Sequence, residues 1–220
     1  MNGPSRRIWL TGASSGIGAA LAEQLLLAGH RLAVSARTVE PLQALAARYP
    51  EQVLVVPGDL GDSQQVRAIG QRIALHWGAL DTLIINAGTC EYVEVVDFQA
   101  AMLERVLRAN LLSASYCIEV ALPLLRAGHQ PHLVGIGSSV TYLPLPRAEA
   151  YGASKAGLRY LLEALRIDLA AEGIDVTLVS PGFVDTPLTQ KNDFPMPLRW
   201  SAAKAARHIA ARLHKRPYDI

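Results

Sequence analysis

The chain alternates two kinds of segment almost from end to end, and this alternation limits its possible folds more than any other feature. Short apolar runs, such as Leu83-Ile84-Ile85 and Val53-Leu54-Val55-Val56, are each followed by a longer stretch with helical spacing. The runs predict strands over 7–11, 31–36, 52–56, 80–86, 132–138 and 175–180. The intervening pattern predicts helices over about 16–28, 38–49, 62–77, 97–127 (broken near its start), 151–172 and 201–215. Pro41 falls in the first turn of the second helix, where proline is tolerated, and Asp62 stands three residues before Gln65 as a capping pair. Strands alternating with helices of this length build βαβ units, a parallel sheet with helices on both faces. Unbroken apolar strands suit a sheet covered on both sides. The predicted fold class is therefore α/β, a doubly wound parallel sheet in a single domain over 1–220. A Pro-rich excursion predicts a lid over about 183–200, and Tyr218-Asp219-Ile220 reads as the opening of a truncated last strand.

Composition removes several classes of function. Lys and Arg number 21 against 19 Asp and Glu, a net charge of +2, which leaves no electrostatic footprint for nucleic acid. Cys90 and Cys117 stand at no metal-ligand spacing, and His30, His76, His129, His132, His208 and His214 form no metal-like constellation. No metal is expected, and the histidines are assigned to surface or loop positions. Arg6-Arg7 precedes an apolar run that stops at Thr11-Gly12, too short for a signal core. No run approaches the ~18 to 20 residues of a membrane span. A cytoplasmic location is the expectation.

Thr11-Gly12-Ala13-Ser14-Ser15-Gly16-Ile17-Gly18 lies between the first strand and the first helix. Glycines there let backbone N–H groups approach a pyrophosphate, whose charge the helix N-terminus favours. Gly12, Ser14, Ser15, Gly16, Ile17 and Gly18 are thus candidate cofactor residues. An NAD-binding unit should carry an acid at the end of its second strand to hold the ribose 2′-hydroxyl. This chain has Ser35-Ala36-Arg37 instead. The missing acid removes repulsion against a 2′-phosphate, and the Arg37 guanidinium can pair with one, helped by the Ser14 and Ser35 hydroxyls. NADP(H) is favoured over NAD(H).

Tyr151 and Lys155 stand at i and i+4 on one helix, sharing a face. A nearby ammonium stabilises phenolate, so Lys155 is expected to bring the Tyr151 pKa down from near 10 toward the range of general acid–base catalysis.

Taken in order, Thr11–Gly18, Asp59-Leu60, Asn86-Ala87-Gly88, Tyr151–Lys155 and Pro181-Gly182 followed by Thr186 resemble the short-chain dehydrogenase/reductase family over nearly the whole chain. Ser138, thirteen residues before Tyr151, matches the family's catalytic serine, and Asn110 its asparagine. The resemblance implies a Rossmann-like fold and hydride transfer between a nicotinamide and a small-molecule carbonyl or alcohol. It implies that Tyr151 moves the substrate's proton, Lys155 binds the nicotinamide ribose, Ser138 bonds the substrate oxygen and Asn110 holds a water. Asp59 and Leu60 would flank the adenine, and Asn86, Ala87 and Gly88 the cofactor's ribose and backbone. Pro181, Gly182, Val184 and Thr186 would lie near the nicotinamide. Ser139 competes for the serine role, but adjacent strand residues face opposite ways and spacing favours Ser138. A homodimer or homotetramer is implied through the helices around 102–126 and from 151 onward. Cys90, Tyr92, Tyr142, Leu143, Phe183, Leu188, Met196 and Trp200 are candidates for an apolar substrate pocket, which the short lid would leave shallow and open. The competing reading is a non-catalytic NADP-sensing regulatory protein of the same fold.

Overall fold

Apolar side chains on both faces of the first strand need cover on both sides. In the computed structural model, which describes residues 4–192 and 194–220, β1 (Arg7–Thr11) has that cover. Trp9 is buried in one core cluster, and Ile8 and Leu10 in another. The elements follow in the order α1 (Gly16–Leu27), β2 (Arg31–Ser35), α2 (Glu40–Arg48), β3 (Val53–Val55), α3 (Ser63–Trp77) and β4 (Thr82–Ile85). Then come α4 (Ala100–Leu107), α5 (Ser113–Arg126), β5 (His132–Ile136), α6 (Glu149–Ala170) and β6 (Asp175–Val179). The lid region contributes β7 (Val184–Asp185) and β8 (Trp200–Ser201), and α7 (Ala202–Leu213) ends the helices.

The six-stranded sheet has the order β3-β2-β1-β4-β5-β6, and every neighbouring pair is parallel. Helices α3, α5 and α6 bury one face, and α1, α2 and α7 the other. The strand order reverses direction between β1 and β4, the crevice in which open α/β sheets bind ligands. The chain's last residues continue the sheet. The Leu178 N–H donates to the Tyr218 carbonyl at 3.0 Å, the Ile220 N–H to Leu178, and the Ser180 N–H to Ile220. Leu178 and Asp219 form a parallel bridge, so the seventh-strand position holds one short rung.

Local chemistry sets the element ends. Asp62 accepts from the Gln64 and Gln65 N–H groups and caps α3, while the Gln65 amide bonds the Asp62 carboxylate and accepts from the Asp59 N–H. The long helical region after β4 is broken near its start, as the sequence predicts, and carries in addition a π turn that the sequence does not predict. Residues 95–97 form a 3₁₀ turn, α4 begins at Ala100, and Arg108–Leu112 widen into a π turn before α5. Such turns lodge one extra residue in a helix and recur at functional sites. Asn110 sits within it.

The histidine assignment needs correction. His132 is an interior strand residue, 3% exposed, whose Nε2 bonds the Thr177 hydroxyl at 2.8 Å. Thr177 in turn donates to the Pro217 carbonyl. Burial, aided by Arg216 and Arg6, pushes the imidazole down to about 4.

Candidate active site

A cavity of about 830 Å³ runs across the C-terminal ends of β2, β1, β4 and β5. Its floor begins at the first turn. Gly12 has φ +66, a conformation L side chains rarely adopt, and a Cβ there would lie 2.8 Å from the Ala87 Cα. Gly18 is excluded for a different reason: its Cβ would fall 2.1 Å from the Gly12 carbonyl oxygen and 2.4 Å from the Asn86 amide nitrogen. Gly18 therefore packs the turn against β4, whereas Gly12, Ser14, Ser15, Gly16 and Ile17 line the cavity. No side chain caps the first turn of α1, and no acid occupies it. Its positive end is left for an anion.

Asn86 locks this turn. Its amide nitrogen donates to the carbonyls of both Thr11 and Gly12 at 3.1 Å, and its backbone N–H and that of Ala87 donate to the Thr11 hydroxyl. The Asn86 side chain is thus committed to the protein, and Ala87 and Gly88 line the cavity beside it.

Arg37, beyond β2, is exposed at the cavity wall with Thr38. Its side chain has no hydrogen-bond or ion-pair partner among the described residues. Ser35 does not share that wall: it is fully buried and accepts a hydrogen bond from the Trp9 indole at 2.9 Å. The Ser35 hydroxyl thus faces the core, a correction to the expectation that it helps Arg37. Asp59, exposed, accepts from the Gly61 N–H, and Leu60 is buried next to it, both on the cavity wall. Arg108, from the π turn, also lines this wall and packs along Gly61.

At the β5 side, Ser138, Tyr151 and Lys155 converge. Ser138 lines the cavity whereas Ser139 is exposed and bonds Pro181 through its N–H, so the structure brings Ser138 to Tyr151. The Tyr151 phenol is pushed up to about 12 by burial, against the pull of Ser138. Lys155 is buried, donates to the Ile136 carbonyl at 2.8 Å, and is pushed down to about 8 by desolvation. Its Nζ is 5.8 Å from the Tyr151 ring centroid. The expected depression of the phenol is therefore not produced by the protein alone, because burial penalises both charges more than their separation repays. At neutral pH Tyr151 carries its proton.

Asn110 is fully buried and does not line the cavity. Its amide accepts from the Thr89 N–H at 2.7 Å and donates to the Thr89 carbonyl and the Ser154 hydroxyl. The side chain fixes the segment after Gly88 to α6. Pro181, Gly182, Val184, Thr186 and Leu188 complete the cavity. Of the apolar candidates for the substrate pocket, only Leu188 lines it. Tyr142 and Leu143 are exposed, while Phe183 and Trp200 line a separate cavity. Tyr92 bonds Asn192 of the lid, Phe194 stacks edge-on against it at 5.6 Å, and the Asn192 amide contacts Met196. Cys90 is half-buried, and burial pushes its thiol up. Sequence reasoning missed Thr38, Arg108, Ser113 and the Glu91–Arg105 ion pair, all on the cavity wall. None carries a local pattern.

The short chain dehydrogenase family model matches residues 6–195. The chain belongs to the short chain dehydrogenase family. It is accordingly an oxidoreductase, of a family that uses NAD(P)(H) and a small-molecule substrate. A short-chain dehydrogenase structure from Streptomyces avermitilis superposes with TM-score 0.89 at 26% identity, over 99% of this chain and 88% of that one. An uncharacterized oxidoreductase of Mycobacterium tuberculosis is 32% identical, over 96% of this chain and 86% of its own. An 11-beta-hydroxysteroid dehydrogenase-like protein of Arabidopsis thaliana is 35% identical, over 83% of this chain and 60% of its own. Among the described residues, no group of three His, Cys, Asp or Glu could hold a metal, and no helix is long and apolar enough to cross a membrane.

Proposed function

We propose that this short-chain dehydrogenase is an NADP(H)-dependent carbonyl reductase or alcohol dehydrogenase in which Tyr151 is the general acid–base. The observation that carries the reading is the convergence of Ser138, Tyr151 and Lys155 on one cavity whose far wall holds an unengaged arginine. The residues present fit a nicotinamide dinucleotide. The uncapped α1 terminus and the side-chain-free surface of Gly12 suit the pyrophosphate, Asp59 and Leu60 flank the adenine, and Asn86 to Gly88 line its path. Pro181, Gly182, Val184 and Thr186 lie at the nicotinamide end. Bound there, the nicotinamide supplies or accepts the hydride at the substrate carbon. Ser138 holds the substrate oxygen by a hydrogen bond. Tyr151, protonated at neutral pH, gives its proton to that oxygen as the carbonyl is reduced. In oxidation the phenol must first lose its proton, and a cation beside it is needed. Lys155, anchored on the Ile136 carbonyl, is placed to hold the nicotinamide ribose.

Arg37 supports the choice of cofactor: it lies just beyond β2, where an acid would repel a 2′-phosphate, and its fork has no partner among the described residues. The Arg37→Ala protein should bind NADPH at least tenfold more weakly, with NADH affinity within twofold of the parent. Equal losses for both cofactors, or none for NADPH, would overturn the assignment.

Assembly as a homodimer or homotetramer is part of this reading. Helix α6 presents an exposed stripe of Ala153, Ala156, Tyr160, Ala164 and Ile167, with Tyr160 and Ile167 more than 70% exposed. Both cysteines are free, which is consistent with a reducing cytoplasm.

A further inference from the structure

A second cavity, of about 170 Å³, lies beneath the base of the lid. The lid is pinned there by the short β7–β8 ladder, with Val184 opposite Trp200 and the Trp200 N–H donating to the Phe183 carbonyl. The walls are apolar: Phe183, Leu198, Trp200, Ile209 and Ile220 among them. Their size and chemistry limit the occupant. An apolar protein cavity of about 150 Å³ holds one benzene ring, so this one accommodates a single six-membered ring with a small substituent.

Two polar side chains lie on the wall, His208 and Ser180, and the Ser180 hydroxyl is engaged with Asp219. His208 lines the cavity with its ring edge-on to Trp200 at 5.2 Å. Arg212 lies 2.9 Å from its Nδ1, and a guanidinium can only donate. Nδ1 is therefore the acceptor, and the proton of the neutral ring is on Nε2. Burial and the neighbouring Arg212 and Lys204 lower the imidazole's pKa. A second feature marks the mouth. Leu198 is 91% exposed and holds a left-handed backbone, φ +57, which a leucine rarely adopts. Finally, Pro181, Gly182 and Val184 line both this cavity and the large one, so a single stretch of chain separates the two.

We propose that the lid-base cavity is a second ligand site, taking a single neutral apolar ring that bears one hydrogen-bond acceptor for His208. Its occupant presses on the 181–184 wall and alters affinity for the cofactor. The coupling rests on the cofactor reading above; the ring site itself does not.

The test uses p-cresol and the full chain without cofactor. Titration followed by ¹H–¹⁵N NMR should move the Trp200 indole cross-peak saturably and leave those of Trp9 and Trp77 in place. Leu198→Glu, a change at an exposed position, puts a charge at the mouth and should weaken binding at least tenfold. Ala205→Leu fills the volume and should abolish it. No saturable shift, or undiminished binding in both variants, overturns the site. With p-cresol saturating, the NADPH Kd should change at least threefold; an unchanged value overturns the coupling. A protein that binds p-cresol but no NADPH at all refutes the cofactor reading and the coupling, and leaves the ring site standing.

Discussion

Replacing Asn86 by an aspartate changes only an amide to a carboxylate, yet it inverts the chemistry of the junction that holds the first turn. The Asn86 amide nitrogen donates to two carbonyls, Thr11 and Gly12, at 3.1 Å. A carboxylate there can donate to neither. Loss of two hydrogen bonds costs about 1 kcal/mol each, and two acceptors left facing a charged oxygen cost at least about 1 kcal/mol more. Asn86 is half-buried, so water offsets part of this, and the expected total is about 3 kcal/mol. For a chain of this size that lowers Tm by ~6 to 12 °C. The Asn86→Ala protein loses the bonds without gaining a charge and should fall by about two-thirds as much. The two variants also differ in pH dependence. The carbonyls raise the folded-state pKa of the introduced carboxyl group above its unfolded value near 3.9, because the protonated acid can donate to one of them. The extra destabilisation is thus fully present above the folded pKa and disappears as pH falls through it toward 3.9. Differential scanning fluorimetry from pH 4 to 8 measures both quantities. If Asn86→Asp is no less stable than Asn86→Ala, or the gap between them does not shrink in acid, Asn86 is not the lock described.

Two further outcomes are specific to this structure. His132 is held down at about 4 against an unfolded value of 6.5, so between those values the unfolded chain binds a proton that the folded chain refuses. Stability should fall by up to about 3 kcal/mol as pH drops from 6.5 to 4, and urea midpoints of the parent and His132→Gln proteins should differ in that slope; parallel profiles would refute the assignment. Ile167→Glu with Tyr160→Glu charges the exposed stripe of α6, and light scattering should then report a monomer, whereas an unaltered assembly would move the interface elsewhere.

The sheet was legible because each strand is an unbroken apolar run, as in Leu83-Ile84-Ile85, and helices carry start signals of their own, as at Asp62. The glycine-rich turn and the Tyr151–Lys155 spacing were legible for the same reason: their chemistry is local. What escaped the sequence depends on partners far along the chain. The direction of the Ser35 hydroxyl is decided by Trp9, across the β1–β2 pairing. His132 is interior because Thr177 of β6 meets it. The π turn at Asn110 adds one residue to a helix and leaves the apolar periodicity nearly unaltered, so no pattern announces it. Tyr92 meets Asn192 only once the lid has folded over. The Tyr151 pKa differs from the sequence expectation because spacing reports that an ammonium is near but not the desolvation that raises the phenol and lowers the ammonium.

All of the proposed chemistry depends on the Tyr151 phenol delivering the proton. Steady-state turnover of NADPH with a panel of ketones and aldehydes, run on the parent and on Tyr151→Phe, tests this, since the substitution removes one oxygen and leaves the ring in place. The parent should reduce at least one carbonyl, and the variant should lose roughly 10²-fold or more in kcat while binding NADPH normally. A Tyr151→Phe protein that turns over its best substrate at the parent's rate would contradict the mechanism.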